Sequence, residues 1–447
     1  MKLGLLPYLA AVTTACTFAA CGGSTTSSNA APTNDAGSTT DEGGANGDDG
    51  GTPDAMDEAP PAVDHGMPST TYPAFKADMP QLNKNAGNIL TAPIIVPITW
   101  ETDSNAARID SFADQIGGTT YWKKIVSEYG VGVATVGQHV HIPVNAQNPL
   151  PATMSTDELE SMVDQSVGTT GWPAATAQTI FIVFPHPSIA VTAGGSPACT
   201  VFGGYHTVTQ QGGHIYALAL PCTGGAGALT NATVSGSHEL AEAATDPFPG
   251  SGYSNFDSNH ISWSFFNRFQ PENGDDCEFY SDSSYKEMAP FDFEVQRSWS
   301  NVAAAGGHNP CVPATTGAYF GVTPTELETV AYAGRSGNIM TKGINIPVGT
   351  SKTFPVGFFS DGPMSGPWSI RVAEGFTPGV GGPPANHLSV SVDKTSGQNG
   401  EISYVTVTVN KAGSTISNRS FAKANYITLL SSLGNATHFM PVLITNN

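Results

Sequence analysis

One short segment of the chain concentrates residue types that bind metal ions. Residues 236–247 contain His238, Glu239, Glu242 and Asp246, and no lysine or arginine. Residues four apart share one face of a helix, so His238 and Glu242 are placed to hold the same ion. An otherwise apolar helix that buries these groups without a basic neighbour needs another cation, which predicts a metal site. The alternative is a solvated or hydrogen-bonded cluster.

The spacing in this segment is similar to the His-Glu-x-x-His helix of zinc peptidases, with Glu242 in place of the second histidine. In that helix the first and fifth positions bind zinc, and the glutamate at the second position activates a water molecule. Glu239 occupies the second position and is therefore the expected general base. Zinc is the expected ion.

A second acidic segment could complete the metal shell. Glu272 and Asp275 lie in a glycine-containing loop just before Cys277, and either of them or Asp246 is a candidate third ligand. Oxygen-rich loops of this kind also suit calcium, and a solvated acidic turn is the remaining alternative. His206 and His260 are further candidates. His139 and His141 alternate along an expected strand, and without a third ligand nearby in sequence they are interpreted as structural.

The elements around these residues alternate between helices and strands. The patterns predict strands over 94–100, 180–184 and 214–220 and helices over 105–116, 120–129 and from a capping box at Ser155 and Glu158. Pro97 places the first strand at a sheet edge or a bulge. This order is that of a zincin, in which the strand before the metal helix also pairs with an extended substrate. We therefore expect an α/β (α+β), zincin-like domain over residues 71–320.

The C-terminal part has a different pattern. Apolar and polar residues alternate with period two over 354–359, 388–392 and 404–409, and two more strands are expected over 426–431 and 439–445. Turn-rich segments separate them. The pattern predicts an all-β, immunoglobulin-like sandwich over residues 325–447. It contains no cluster that suggests catalysis, so binding or spacing is its expected role.

The N-terminal residues indicate export. Lys2, a short apolar stretch and small residues before Cys21 predict a lipoprotein signal peptide over residues 1–21, with Cys21 acylated; an ordinary cleaved signal is the alternative. Residues 22–70 carry nine acids and no base and predict a disordered acidic linker. We expect a cell-envelope protein, at the outer membrane or cell surface, anchored to a membrane by its lipid.

The charge of the chain excludes one class of partner. Its 37 acidic and 17 basic residues give a net charge of −20, and −12 remains without the nine linker acids and Lys2. There is no basic run, so nucleic acid is not an expected partner. The expected partner is a peptide or polysaccharide, and the expected state is a monomer.

The four cysteines after the predicted signal peptide predict two disulfides. Cys199, Cys222, Cys277 and Cys311 are an even number in a chain expected to be exported. Three pairings are open; Cys199–Cys222 with Cys277–Cys311 is favoured because sequence neighbours close shorter loops. A zinc site of all four is the alternative, but no close Cys-x-x-Cys pair supports it.

Three short segments carry a family resemblance. They are residues 88–100, the region from Cys199 to His206, and residues 245–248 with Gly252-Tyr253. These resemble the opening strand, the Cys-Gly-x-His region and the Thr-Asn-Pro-Phe…Gly-Tyr segment of the phosphate-induced protein 1 (EXORDIUM-like) family in its bacterial secreted form. Glu272 and Asp275 fall where bacterial relatives carry Glu-x-x-Asp before a cysteine. The resemblance covers residues 85–315 and implies a secreted extracellular protein, not in itself a peptidase.

Two main hypotheses follow from the sequence. The first is a lipid-anchored, metal-dependent hydrolase, most simply a zincin-like metallopeptidase with Glu239 as its base. The second is a non-catalytic surface protein that binds polysaccharide or cell wall and uses the same residues as a structural metal site. An adhesion module without metal is a third. The missing second histidine and the appended sandwich favour the second.

Overall fold

The computed structural model describes residues 63–222, 226–266, 271–334, 337–376, 386–412 and 424–446. The predicted signal peptide, with Cys21, and the predicted linker up to residue 62 lie outside the described residues. The last residues of the predicted linker lie against the C-terminal strands. Gly66 forms a β-bridge with Glu401, and the backbone N–H of Ser69 donates to the carbonyl oxygen of Asn399 at 2.7 Å.

The described chain contains more sheet than helix. Its helices are α1 (Ala106–Ile116), α2 (Thr120–Val126), α3 (Thr156–Ser166), α4 (Ala228–Thr245), α5 (Ile261–Phe266), α6 (Asp275–Glu278) and α7 (Asn301–Gly306). The strands before residue 313 are β1 (Leu82–Lys84), β2 (Ile94–Trp100), β3 (Thr135–Val136), β4 (Val140–Ile142), β5 (Thr153–Ser155), β6 (Thr179–Val183), β7 (Ala190–Ala193), β8 (Ser196–Pro197), β9 (Gly204–Val208), β10 (Ile215–Ala219), β11 (Tyr253–Phe256), β12 (Ser284–Lys286), β13 (Glu294–Gln296), β14 (Ser298–Trp299) and β15 (Cys311–Val312). The later strands are β16 (Phe320–Pro324), β17 (Glu328–Gly334), β18 (Gly337–Asn345), β19 (Ser351–Ser360), β20 (Trp368–Glu374), β21 (Leu388–Val392), β22 (Ser396–Gly397), β23 (Ile402–Val409), β24 (Ala424–Leu433) and β25 (Ala436–Thr445).

A mixed sheet organises the N-terminal part. Its strand order is β3-β2-β6-β10-β9, with β4 also paired to β2; β9 runs antiparallel to β10, while the other pairs are parallel. Alternate residues of β2 and β6 pack against α1, α2 and α4 on one face and against α3 on the other. Burial of both faces explains why these strands read as continuous apolar runs. Strand β9 forms an edge of this sheet.

The predicted elements of this part are found with small shifts. The capping box is present, since the Ser155 hydroxyl accepts from the backbone N–H of Glu158 and the Glu158 carboxylate accepts from that of Ser155. The expectation for Pro97 was wrong in one respect, because β2 is an interior strand. Pro97 lies where the neighbour of β2 changes from β3, paired at 94–95, to β4, paired at 98–100. A residue without an N–H is tolerated at that interruption.

The C-terminal strands form two sheets. One has the order β16-β19-β23-β21 and the other β17-β18-β25-β24-β20-β22. All five segments predicted here are strands, and β17, β18, β20 and the two-residue β22 are additional ones that the pattern did not reveal. Strand β16, at residues 320–324, already belongs to the first of these sheets.

The two parts of the chain share a hydrophobic core. Trp263 and Trp299, whose ring centroids are 5.5 Å apart, belong to the same buried cluster as Phe358 and Val405 of the C-terminal sheets. Phe266 of α5 packs against Phe439 of β25 with a centroid distance of 5.5 Å. The segment after α4, which includes α5 and β14, is therefore packed against the C-terminal sheets. None of the helices in the described ranges is long and apolar enough to cross a membrane.

Candidate metal centre

Helix α4 carries His238, Glu239 and Glu242, and it is made largely of small residues. Alanine, serine, threonine and glycine let it pack closely against the sheet; a Cβ at Gly236 would lie 3.0 Å from the ring of Phe184. This packing buries His238, Glu239 and Glu242 on the helix. The helix ends at Asp246, whose carboxylate accepts hydrogen bonds from the backbone N–H groups of Gly250 at 2.6 Å and Ser251 at 2.9 Å.

The first group of potential ligands is His238, Glu242 and Asp275. The Nε2 atom of His238 lies 3.0 Å from Oε1 of Glu242 and 3.8 Å from Oδ1 of Asp275. Asp275 begins α6, and its Oδ2 atom accepts from the backbone N–H of Glu272 at 3.0 Å. The backbone N–H of Gly274 donates to Oε1 of Glu242 at 3.1 Å. One ligand atom from each of the three residues lies within 4.8 Å of the others, which is close enough for one ion.

The second group is His206, Glu242 and Glu272. Nδ1 of His206 lies 3.5 Å from Oε2 of Glu242, and Nε2 lies 3.4 Å from Oε2 of Glu272. His206 is the central residue of the edge strand β9, and its Nε2 donates to the carbonyl oxygen of Asp246 at 3.0 Å. One ligand atom from each of these three residues also lies within 4.8 Å of the other two. Because both groups contain Glu242, its carboxylate joins them into one centre.

Two glycines allow the backbone to approach this centre. A Cβ at Gly274 would lie 2.8 Å from Oε1 of Glu242 and from the ring of His238, and a Cβ at Gly204 would lie 2.7 Å from Oε1 of Glu239. Contacts this short do not occur for real Cβ atoms, so any larger residue would displace a side chain of the site. The glycine at 274 thus lets the acidic loop close over α4.

The histidines carry the positive charge of the centre in the absence of a metal. No lysine or arginine of the described chain pairs with its carboxylates. Burial opposes protonation of His238, but the negative charges of Glu242 and Glu239 raise its pKa well above the usual value, and Glu272 does the same for His206. Burial would raise the pKa of Glu242, but the charge of His238 and the hydrogen bonds of His206 and His238 lower it to about 2.

The other carboxyl groups of the centre have too little positive charge near them to balance their own negative charge. Burial raises the pKa of Glu272, Asp275 and Glu239, for the first two well above the ordinary value. Oε2 of Glu239 and Oε2 of Glu272 are buried and have no hydrogen-bond partner in the described chain. Buried carboxylates in this state must hold protons or gain a cation. Each group therefore fits a divalent metal ion, and its one imidazole ligand fits zinc better than calcium, which prefers oxygen.

The structure brings together most of the residues singled out in the sequence. His238, Glu242, Glu272 and Asp275 converge, and Glu239 lies beside them with Oε2 3.8 Å from Nδ1 of His206. The carboxylate of Asp246 is not part of either group, because it binds the backbone of the following turn. His260 is also elsewhere, 2.8 Å from Asp257 and 3.3 Å from Asp78. The pairing of β9 with β10 brings His206 to these residues, and the sequence around His206 does not reveal that pairing.

Two disulfides flank the centre. Cys199 pairs with Cys222, enclosing the hairpin of β9 and β10, and Cys277 pairs with Cys311, so the favoured pairing is confirmed. Cys277 lies two residues after Asp275, so the second disulfide ties the loop of Asp275 to β15. Disulfides of this kind are typical of exported proteins.

Comparisons with known proteins add little. No protein-family model matches the sequence, and no curated protein matches it at a significant level. Among solved structures, domains 4 and 5 of the S-layer protein SbsC match 38% of this chain and 72% of their own at 17% identity and a TM-score of 0.16. A variant of the SrpA adhesin from Streptococcus sanguinis matches 29% of this chain and 58% of its own at 16% identity and 0.18. The titin M3 domain matches 29% of this chain and 99% of its own at 5% identity and 0.16. Similarity this low supports no inference about fold or function.

Proposed function

We propose that this chain is an exported cell-surface binding protein whose fold is held together by a buried divalent metal ion, for which zinc is the best candidate. The observation that carries the proposal is the convergence of two histidines and three carboxylates, without a basic residue, in the described chain. The ion would supply the positive charge that these buried groups lack. The ligands come from β9, α4 and the loop at 272–275, so an ion bound there would connect three segments far apart in sequence.

The burial of the site supports a structural role. The side chains of His206 and Glu242 are 4% and 5% exposed, and those of His238 and Glu272 are 10% and 12% exposed. A catalytic zinc has three protein ligands and an open position for water, whereas a structural zinc is enclosed by four. Each of the two groups offers three ligand residues and they share Glu242, so the low exposure of these side chains, rather than the number of ligands, supports an enclosed ion.

The binding role itself belongs to the C-terminal sheets in this proposal. Within the part of the chain that the structure describes, none of the potential metal-binding groups lies in strands β16–β25. The ligand we propose is a polysaccharide or cell-wall polymer, with the chain attached to a membrane through acylated Cys21. The EXORDIUM-like resemblance, which implies a secreted extracellular protein, is part of the same proposal.

One observation favours a second candidate, a metal-dependent hydrolase with a zincin-like arrangement. Oε2 of Glu239 is buried without a hydrogen-bond partner, and burial raises the pKa of this carboxyl group. Such a carboxylate is suited to take a proton from an attacking water molecule and to return it to the leaving group. The edge strand β9 beside α4 is where a peptide substrate could pair.

The two candidates are separated by comparing Glu239→Gln with Glu242→Gln in the purified full-length chain. We expect the wild type and Glu239→Gln to bind the same number of zinc ions, counted by mass spectrometry, and Glu242→Gln to bind fewer. We also expect no turnover of unfolded protein substrates by the wild type and its retention on a cell-wall polysaccharide matrix. Substrate cleavage that is lost in Glu239→Gln would establish the hydrolase instead, and absence of metal from the wild type would refute both.

A further inference from the structure

Another group of metal-binding side chains lies where α1 meets the sheet. Asp110 is on α1, His139 immediately precedes β4, and His141 is the central residue of β4. The sequence offered no third ligand for the two histidines, because Asp110 is about 30 residues away and reaches them only through the packing of α1 against β2. One ligand atom from each of the three residues lies within 4.8 Å of the others.

The distances match what one ion requires. Oδ2 of Asp110 lies 3.2 Å from Nε2 of His141 and 3.7 Å from Nδ1 of His139. Ligands about 2.0–2.2 Å from a tetrahedral zinc are separated from each other by roughly 3.3–3.6 Å. These two distances bracket this range, and the ligand atoms of the two histidines lie within 4.8 Å of each other.

The ring nitrogen of each histidine that faces away from Asp110 has its own partner. Nε2 of His139 lies 2.9 Å from Oδ1 of Asp114, one turn beyond Asp110 on α1. Nδ1 of His141 lies 2.8 Å from the hydroxyl oxygen of Thr99, its cross-strand neighbour on β2. Metal-binding histidines commonly donate their second N–H to a carboxylate or another oxygen, which fixes the ring and leaves the first nitrogen bare. Both rings are held in this way.

Asp110 also has a carboxylate oxygen without a hydrogen-bond partner among the described residues. Oδ1 of Asp110 is buried and has no hydrogen-bond partner in the described chain. The ion pairs of Asp110 are with the two histidines, and no described lysine or arginine pairs with it or with Asp114. A cation between Asp110, His139 and His141 would compensate this carboxylate.

We propose that Asp110, His139 and His141 form a separate, solvent-facing site for a divalent transition-metal ion of the zinc type. His139 and His141 are 31% and 37% exposed, so part of the coordination sphere faces water rather than protein. The mixed nitrogen and oxygen donor set suits zinc, nickel or copper rather than calcium or magnesium. An ion bound there joins α1 to β4, a strand that is paired through only three residues.

The test counts zinc ions on the full-length chain by native mass spectrometry after equilibration with zinc and removal of the excess. Asp110→Asn and His141→Ala should each carry one ion fewer than the wild type. The matched control is His308→Ala, since His308 is an exposed histidine 3.1 Å from Asp361 that has no third ligand among the described residues. It should bind as many ions as the wild type. An unchanged count in both site variants would overturn the proposal, as would an equal loss in His308→Ala.

A second measurement separates this site from the centre on α4. In the chain carrying Glu242→Gln, added zinc should still raise the thermal unfolding midpoint, and adding His141→Ala to that chain should abolish the rise. A rise that survives in the double variant would also refute the site. Midpoints recorded without metal show whether each variant has folded.

Discussion

The carboxylate of Glu242 faces His238 on one side and His206 on the other. Its Oε1 lies 3.0 Å from Nε2 of His238, one helical turn earlier, and its Oε2 lies 3.5 Å from Nδ1 of His206. Glu242 thus belongs to both groups of potential ligands. The loss of this one carboxylate should therefore disable the whole centre.

The first prediction concerns Glu242→Gln and the contribution of metal to stability. At a metal concentration about 1,000 times the Kd, a bound ion stabilises the folded state by about 4 kcal/mol. We expect EDTA to lower the unfolding midpoint of the wild type more than that of Glu242→Gln, which keeps only the site at Asp110, His139 and His141. Glu239→Gln is the matched control and should respond to EDTA like the wild type, because Glu239 is in neither group. A wild-type midpoint insensitive to EDTA would contradict the structural role.

The second prediction concerns Gly274→Ala. The added methyl group would lie 2.8 Å from Glu242 and His238, so the loop or both side chains must move. We expect a loss of about 1–3 kcal/mol in the free energy of unfolding, as for other overpacked sites, together with weaker zinc binding in a competition titration. At Gly366 an added Cβ has no neighbour within 4 Å, so Gly366→Ala is the control and should change neither quantity. Equal zinc affinity in both variants would show that the loop is not part of the centre.

The sequence predicted those parts of the site that depend on local spacing. His238 and Glu242 are fixed by helical periodicity, and the strands of the central sheet are recognisable as apolar runs. The positions of His206 and Asp110 depend on strand order and helix packing, which no local pattern encodes. Asp246 lies outside both groups for a related reason, since a carboxylate just after a helix can bind either an ion or the N–H groups of the next turn. Here the turn at 250–251 provides those groups.

The third prediction is a pH dependence at His260. Burial acts against protonation of His260, but hydrogen bonds with Asp257 and Asp78 raise its pKa above the ordinary 6.5. The hydrogen bond from His260, with help from Lys342, lowers the pKa of Asp78 below its ordinary 3.8. A raised histidine pKa stabilises the folded state fully below pH 6.5 and ceases to do so as the pH rises through the folded value; the lowered Asp78 pKa loses its contribution as the pH falls below about 4.

The contribution of this cluster should therefore be largest between about pH 4 and 6.5. His260→Gln should lower the unfolding midpoint more at pH 5.5 than at pH 8.5, because the charge of the wild-type histidine is lost progressively as the pH rises through its raised pKa. Asp78 is 46% exposed, so solvent screening keeps the difference small. An equal effect of His260→Gln at both pH values would contradict the charge assignment.

The last prediction concerns the disulfide next to the acidic loop. Cys277 follows Asp275 in α6, and the backbone N–H of Trp299 in β14 donates to the carbonyl oxygen of Asn273, so this segment is tied to β14 and β15 by one covalent and one hydrogen bond. Replacing Cys277 and Cys311 by alanine should lower the free energy of unfolding by about 2–5 kcal/mol and speed the loss of zinc to a chelator. In the loop-entropy model the Cys199–Cys222 bridge, which spans 23 residues rather than 34, contributes about 0.3 kcal/mol less. Urea unfolding of the two double variants measures this difference, and zinc loss at the wild-type rate in the Cys277/Cys311 variant would show that the loop holds its position without the disulfide.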